Sequence, residues 1–121
     1  MVNGAAEAER YLRWLAGELA PPEAVIQDFL TGPEYTVGLV GNPAAGFTVF
    51  PPLEVDYTAL DPSLPPILTY GSKADPSSRY WQKLAFHRAA IDDVVWSKLV
   101  DDCVKVFKRF GFRDYARIDF R

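Results

Sequence analysis

The longest regular pattern in the chain is an amphipathic helix, which is predicted to run from about Asp92 to Phe110. Its apolar positions recur every three or four residues, which is the period of one helix face. They are Trp96, Leu99, Val100, Cys103, Val104 and Phe107. Gly111 is a natural stop, and a short extended segment, YARIDFR, follows it directly. A helix with one apolar face has to bury that face, which favours packing against a sheet.

Short extended segments bounded by Gly and Pro supply the strands of that sheet. The predicted strands are AVIQDFL (24–30), YTVGLVGN (35–42), FTVF (47–50), PPLEVDY (51–57), ILTY (67–70) and YARIDFR (115–121). A turn, TGPE, separates the first two strands, and NPAAG is a plausible hairpin connection before FTVF. The segment GSKADPSSRYWQ (71–82) has the composition of a mobile loop.

A second amphipathic helix is predicted at the start of the chain, over AEAERYLRWLAGELA (6–20), and Pro21–Pro22 ends it. Its apolar stripe consists of Leu12, Leu15, Ala16 and Leu19. The whole pattern predicts an α+β fold, with a mostly antiparallel sheet and two helices on one of its faces. With 121 residues and no internal repeat, residues 1–121 are expected to form a single domain.

Composition and charge exclude several classes of protein. A net charge of −3 gives no electrostatic reason to expect a nucleic acid or a membrane surface as a partner. No apolar run has the length of a transmembrane helix, and the N-terminus lacks the pattern of a secretory signal. A single cysteine cannot form an internal disulfide. A cytoplasmic protein is expected.

The last predicted strand carries the most suggestive chemistry. Its side chains alternate between faces, so Ala116, Ile118 and Phe120 point one way. Arg117, Asp119 and Arg121 point the other way. A guanidinium and a carboxylate two residues apart on one face suit a phosphate and a metal ion. The alternative, which residue chemistry alone favours, is an ion pair on a solvent-exposed strand.

Four other residues are candidates for chemistry. Lys73 lies in a glycine- and serine-containing segment that could close over an anion, although spacing alone favours a solvated lysine. Glu34 follows the turn and is either a surface carboxylate or a ligand for sugar hydroxyls. His87 has no evident partner, which favours an ordinary structural or surface role over a general base. Cys103 lies on the apolar helix face and is interpreted as a buried thiol.

Several of these segments, in this order, resemble the C-terminal part of an ATP-grasp ligase, in particular the D-alanine–D-alanine ligase family. The similarity covers 24–121. VIQDFLTGPEYTVGLVG resembles the family's strand, Gly-Pro-Glu turn and second strand, and YGSK resembles its lysine loop. FGFRDYARIDFR resembles the family's strand with an Ala-Arg-hydrophobic-Asp motif.

The resemblance implies an ATP site with Mg²⁺ and an ADP-forming reaction, in which a carboxylate is phosphorylated and then attacked by an amine. The backbone of Gln27, Asp28, Phe29 and Leu30 would face the adenine edge, although the family usually has glutamate at the position of Gln27. Glu34 would accept hydrogen bonds from the ribose. Lys73 and Arg117 would contact phosphoryl oxygens as catalytic residues, and Asp119 would bind magnesium.

The resemblance also implies that further metal ligands, ATP-clamping lysines and a substrate domain belong to the complete enzyme. The chain is therefore expected to be a truncated ligase that carries part of the nucleotide site and is inactive alone. The alternative is a non-catalytic module for protein interaction or self-association. The expected protein partner is a second copy of the chain, which forms a homo-oligomer, or a different chain that complements it.

Overall fold

The computed structural model describes residues 2–19 and 23–121, which divide into two compact units at Thr31–Gly32. In chain order the elements are α1 (Ala5–Glu18), β1 (Tyr35–Asn42), β2 (Gly46–Val49), β3 (Leu53–Asp56), α2 (Tyr70–Ala74), β4 (Ala85–Arg88), α3 (Asp93–Arg109) and β5 (Tyr115–Phe120). The described residues thus form an α+β fold with three helices and a five-stranded antiparallel sheet.

The first unit contains α1 and a segment without regular structure. The predicted N-terminal helix is confirmed, but none of its residues is buried. Pro21–Pro22, expected to end it, lie outside the described residues. The predicted strand AVIQDFL is wrong, because residues 24–30 form no helix or strand. Apolar β-formers such as Val25 and Ile26 are exposed there, and strand propensity without a paired neighbour does not make a strand.

Strand β1 is the centre of the sheet in the second unit. It pairs with β5 along one edge, and with β2 and then β3 along the other. Phe50 N donates to Gly38 O at 2.8 Å, whereas Leu53 lies opposite Thr36. The chain therefore advances three residues from Phe50 to Leu53, while β1 advances two residues from Gly38 to Thr36. This extra residue falls at Pro51–Pro52, where a bulge suits residues that cannot donate to a ladder.

Helix α3 packs on one face of the sheet and forms the core, as its apolar period predicts. The side chain of Asp92 caps it by accepting from Val95 N at 2.8 Å, and Gly111 follows with φ of +65°. The buried cluster consists of Val37, Leu39, Leu99, Cys103 and Phe107. The ring centroids of Phe47 and Phe107 lie 5.0 Å apart, edge to face. These contacts join α3 to β1 and β2.

Two further sequence predictions need correction. ILTY is not a strand, because the Thr69 hydroxyl accepts from Ser72 N and the Ser72 hydroxyl from Thr69 N, and this capping box begins α2 at Tyr70. Within the predicted loop 71–82, the first residues therefore belong to a short helix. Strand β4 was not predicted, since four exposed residues carry little periodic signal. The expected pair of helices becomes three, of which α3 packs on the sheet.

No helix in the described ranges combines the length and the apolar content that a membrane span requires.

The position of Cys103 leads to a prediction about thiol reactivity. Its side chain is fully buried in the core, and burial raises the pKa of the thiol to about 11. Because the thiolate is the nucleophile, native protein at pH 8 should react with a thiol-specific chromogenic disulfide at least about a hundredfold more slowly than unfolded protein. Equal rates in native buffer and in 6 M guanidinium would contradict the buried position.

Candidate functional site

Strand β5 presents its charged side chains on the sheet face opposite α3, as its alternation predicts. Arg117 lies opposite Gly38 and Asp119 opposite Thr36 in the antiparallel register. Paired residues of neighbouring strands share a face. Val37, the residue between the two β1 partners, is in the core under α3. We call the side of the sheet that carries Gly38, Thr36, Arg117 and Asp119 the open face.

Arg117 and Asp119 form an ion pair on the open face. Arg117 Nε lies 3.4 Å from Asp119 Oδ1, and their side chains are 64% and 41% exposed. An exposed pair of this kind contributes at most about 1 kcal/mol to stability. Both groups can therefore exchange their contact for a ligand at little cost to the fold.

Glu34, at the Gly-Pro-Glu turn, lies beside this pair and is held from two sides. Arg121 Nη1 donates to Glu34 Oε2 at 2.8 Å, and only 14% and 12% of the two side chains are exposed. The hydroxyl of Tyr57 donates to the same oxygen. Burial, and then this hydrogen bond, raise the pKa of Tyr57 well above its usual value, so the phenol remains a donor. The carboxylate is rigidly placed.

The partners of Glu34 show what sequence reasoning missed. The alternation of β5 places Arg121 on the same face as Arg117, but no local sequence pattern indicates its pairing with Glu34 or the contact from Tyr57. The two contacts span 87 and 23 positions of the chain. Only the pairing of β1 with β5 and β3 brings these residues together.

Apolar side chains extend the open face away from the ion pair. Phe50, Leu53 and Phe86 are roughly half exposed. Phe50 follows β2 and lies against Gly38, where an added Cβ would come within 3.3 Å of its ring. Leu53 of β3 lies opposite Thr36 of β1, and Phe86 of β4 lies opposite Val55 of β3. The sequence offered no signal for this band, because its members come from three different strands or their ends.

The remaining residues of the predicted site lie elsewhere. Lys73 is exposed in the last turn of α2, and no described hydrogen bond or ion pair joins it to Arg117 or Asp119. Gln27, Asp28, Phe29 and Leu30 are exposed residues of the first unit. The strand register therefore brings together Glu34, Arg117 and Asp119, and leaves the other assignments as predictions.

The open face offers few protein ligands to a magnesium ion. Among the described residues, no group of three or more His, Cys, Asp or Glu side chains is placed to hold a metal. Mg²⁺ in nucleotide sites is often held by one or two carboxylates, with phosphate oxygens and water completing the octahedron. Asp119 fits that role. The hydroxyl of Thr36, opposite Asp119, is buried and has no hydrogen-bond partner in the described part of the chain.

Neither His87 nor Cys103 forms a second centre. His87 lies on β4 opposite Glu54, is exposed, and its Nδ1 lies 3.4 Å from the carbonyl oxygen of Arg88. Cys103 is enclosed in the core. The buried position of Cys103 confirms the buried thiol that the sequence predicts, and the exposed position of His87 is that of a surface residue.

Comparison with known proteins adds no relative. No family model matches the chain, and neither the curated proteins nor the solved structures contain a significant match.

Proposed function

We propose that this chain carries part of the nucleotide site of an ADP-forming carboxylate–amine ligase of the ATP-grasp type, similar to D-alanine–D-alanine ligases. The observation that carries the proposal is the placement of Arg117 and Asp119 on an exposed sheet face next to the Glu34 corner. A cation and a carboxylate at one end and a fixed hydrogen-bond acceptor at the other match the two ends of a nucleoside triphosphate.

At the phosphate end, Arg117 neutralises charge on phosphoryl oxygens. Its guanidinium offers several donors in one plane, which suits phosphate better than a point charge does. Lys73, from the exposed end of α2, supplies a second cation for the same oxygens. Asp119 would hold Mg²⁺ together with phosphate oxygens, and the metal would supply charge neutralisation. Positioning and electrostatics of this kind carry most of the catalysis in phosphoryl transfer.

At the nucleoside end, Glu34 accepts hydrogen bonds from ribose hydroxyls. Within the described residues, the contacts from Arg121 and Tyr57 are both made to Oε2, and the lone pairs of Oε1 are the proposed acceptors for the ribose. The exposed rings of Phe50 and Phe86 and the side chain of Leu53 give the open face an apolar area beside these polar groups. A site that combines apolar surface with a few fixed polar groups is typical of cofactor binding.

A second candidate is a non-catalytic module that associates with a protein chain. The observation that favours it is strand β5, which pairs with β1 on one side and with none of the described strands on the other. An unpaired strand edge favours association with another chain.

Isothermal titration calorimetry with a non-hydrolysable ATP analogue, with and without Mg²⁺, tests the nucleotide proposal. We expect binding that depends on Mg²⁺, and no binding of Mg²⁺ alone, since Asp119 needs phosphate oxygens to complete the ligand set. Arg117→Ala and Asp119→Asn should each weaken binding by about tenfold or more, as expected for charged hydrogen bonds and metal ligation. Lys73→Ala should have a similar effect.

The matched control is Arg13→Ala, because Arg13 is also an exposed arginine in an ion pair, 2.5 Å from Glu9 on α1. It removes the same charge from the first unit and should leave nucleotide binding unchanged. Absence of any heat at millimolar nucleotide, or equal binding by the parent protein and all three site variants, would contradict the proposal.

A further inference from the structure

The outer edge of β5 has a regular set of backbone donors and acceptors. Gly41 N donates to Asp114 O at 2.8 Å, and these residues continue the β1–β5 ladder by one step. In an antiparallel ladder, every second residue directs both of its backbone groups to the same neighbour. Ala116, Ile118 and Phe120 therefore bond to β1. The backbone groups of Arg117 and Asp119 point to the outer edge.

The hydrogen bonds on the other edge of β1 lead to the same assignment of inward- and outward-directed residues. The carbonyl oxygens of Gly38 and Glu34 accept from Phe50 N and Val55 N, at 2.8 and 2.9 Å. Even-numbered residues of β1 thus face β2 and β3, and odd-numbered residues face β5. Two independent sets of bonds agree on which residues of β5 are directed outward.

This edge lacks the features that usually prevent strands from pairing between molecules. Tyr115–Phe120 contains no proline and continues the ladder to β1 without a bulge. Its outward-directed residues carry one positive and one negative side chain, rather than several charges of one sign. Like charges protect an edge, whereas opposite charges can pair with a second edge of the same kind.

We propose that two copies of the chain associate by antiparallel pairing of their β5 strands, with a twofold axis at Ile118. This register places Arg117 of each copy opposite Asp119 of the other. Two Arg117–Asp119 ion pairs therefore form, one on each side of the axis. Shifting the axis to Arg117 brings two arginines together, and shifting it to Asp119 brings two aspartates together. Both shifts keep the hydrogen-bond phase, so charge selects between the three registers.

The apolar face of β5 agrees with the same register. A twofold axis perpendicular to the sheet keeps the two faces separate, so Ile118 meets Ile118 of the second copy on the side of α3. Ala116 and Phe120 then lie opposite each other, which matches a small side chain with a large one. These three residues are partly buried against the core of their own copy. The pairing joins two five-stranded sheets edge to edge.

The pairing uses the same two side chains as the proposed phosphate site, so it is measured without nucleotide, and it gives the second candidate function a defined surface. It is tested by sedimentation velocity of the full chain from about 1 to 200 μM without nucleotide. We expect a concentration-dependent dimer in the parent protein. Arg117→Asp and Asp119→Arg should each weaken self-association by about tenfold or more, because like charges then face each other across the axis. A parent protein that stays monomeric throughout would overturn the proposal.

Mixing the two variants provides the decisive measurement. Arg117→Asp carries aspartates at both edge positions and Asp119→Arg carries arginines at both, so the mixture should restore a heterodimer. Both positions are exposed, and unfolding curves of the separate variants check that each is folded. Failure of the mixture to associate, or dimers in each separate variant as strong as in the parent, would show that β5 is not the interface. Neither variant keeps the proposed phosphate site, so restored association does not depend on nucleotide binding.

Discussion

Phe107→Ala should lower the free energy of unfolding by about 3–5 kcal/mol, the usual cost of removing a buried aromatic ring. Phe107 is fully buried, and its ring contacts Phe47 and Phe112 edge to face, with centroids 5.0 and 5.8 Å away. It joins α3 to β2 and to the segment that enters β5. Because domains of this size are stable by only about 5–15 kcal/mol, this loss is a large fraction of the total.

Urea unfolding followed by tryptophan fluorescence and by far-ultraviolet circular dichroism measures this loss. Phe110→Ala is the matched control, since it removes the same ring three positions later, where 71% of the side chain is exposed. The control should lose less than about 1 kcal/mol. Equal losses for the two variants would mean that α3 does not bury the face seen in the structure.

Arg121→Ala should lower the free energy of unfolding by about 3 kcal/mol, because it leaves the Glu34 carboxylate largely buried without its cation. The hydrogen bond from Tyr57 stays, but a neutral donor does not balance the charge. Arg117→Ala is the control on the same strand and face, and it should change stability by less than about 1 kcal/mol, because its ion pair is exposed.

A double variant separates the charge effect from lost packing. If the unpaired carboxylate is the cause, Arg121→Ala combined with Glu34→Gln should recover much of the stability, since this double variant has lost the same packing but leaves no buried charge without a partner. Urea unfolding of the parent protein, Arg121→Ala, Arg117→Ala and the double variant provides the measurement. A double variant as unstable as Arg121→Ala would instead assign the loss to packing of the arginine side chain.

Some residues of the site could be placed from the sequence, and others could not. The alternation in YARIDFR was enough to place Arg117 and Asp119 on one face, because side-chain direction in a strand is a local property. The engagement of Glu34 by Arg121 and Tyr57 was not foreseen, because it depends on which strands become neighbours. The roles of Lys73 and of Gln27 to Leu30 were inferred from a resemblance and remain predictions.

The failed strand predictions have the same physical basis. AVIQDFL has the composition of a strand, but a strand exists only when another strand satisfies its backbone groups. ILTY does not form a strand, because Thr69 and Ser72 cap the N-terminus of α2 and so start a helix at Tyr70. Strand β4 exists because β3 offers it an edge, although its own four residues carry no distinctive pattern.

The sequence by itself determined α3, the β1–β2 hairpin and the two faces of β5, because periodicity, caps and turns act between residues close together in the chain. The tertiary structure decided the strand order, the bulge at Pro51–Pro52, the buried pairing of Glu34 and the edge of β5 with which none of the described strands pairs. These depend on contacts between distant segments, whose energies arise only after the chain has closed into a sheet.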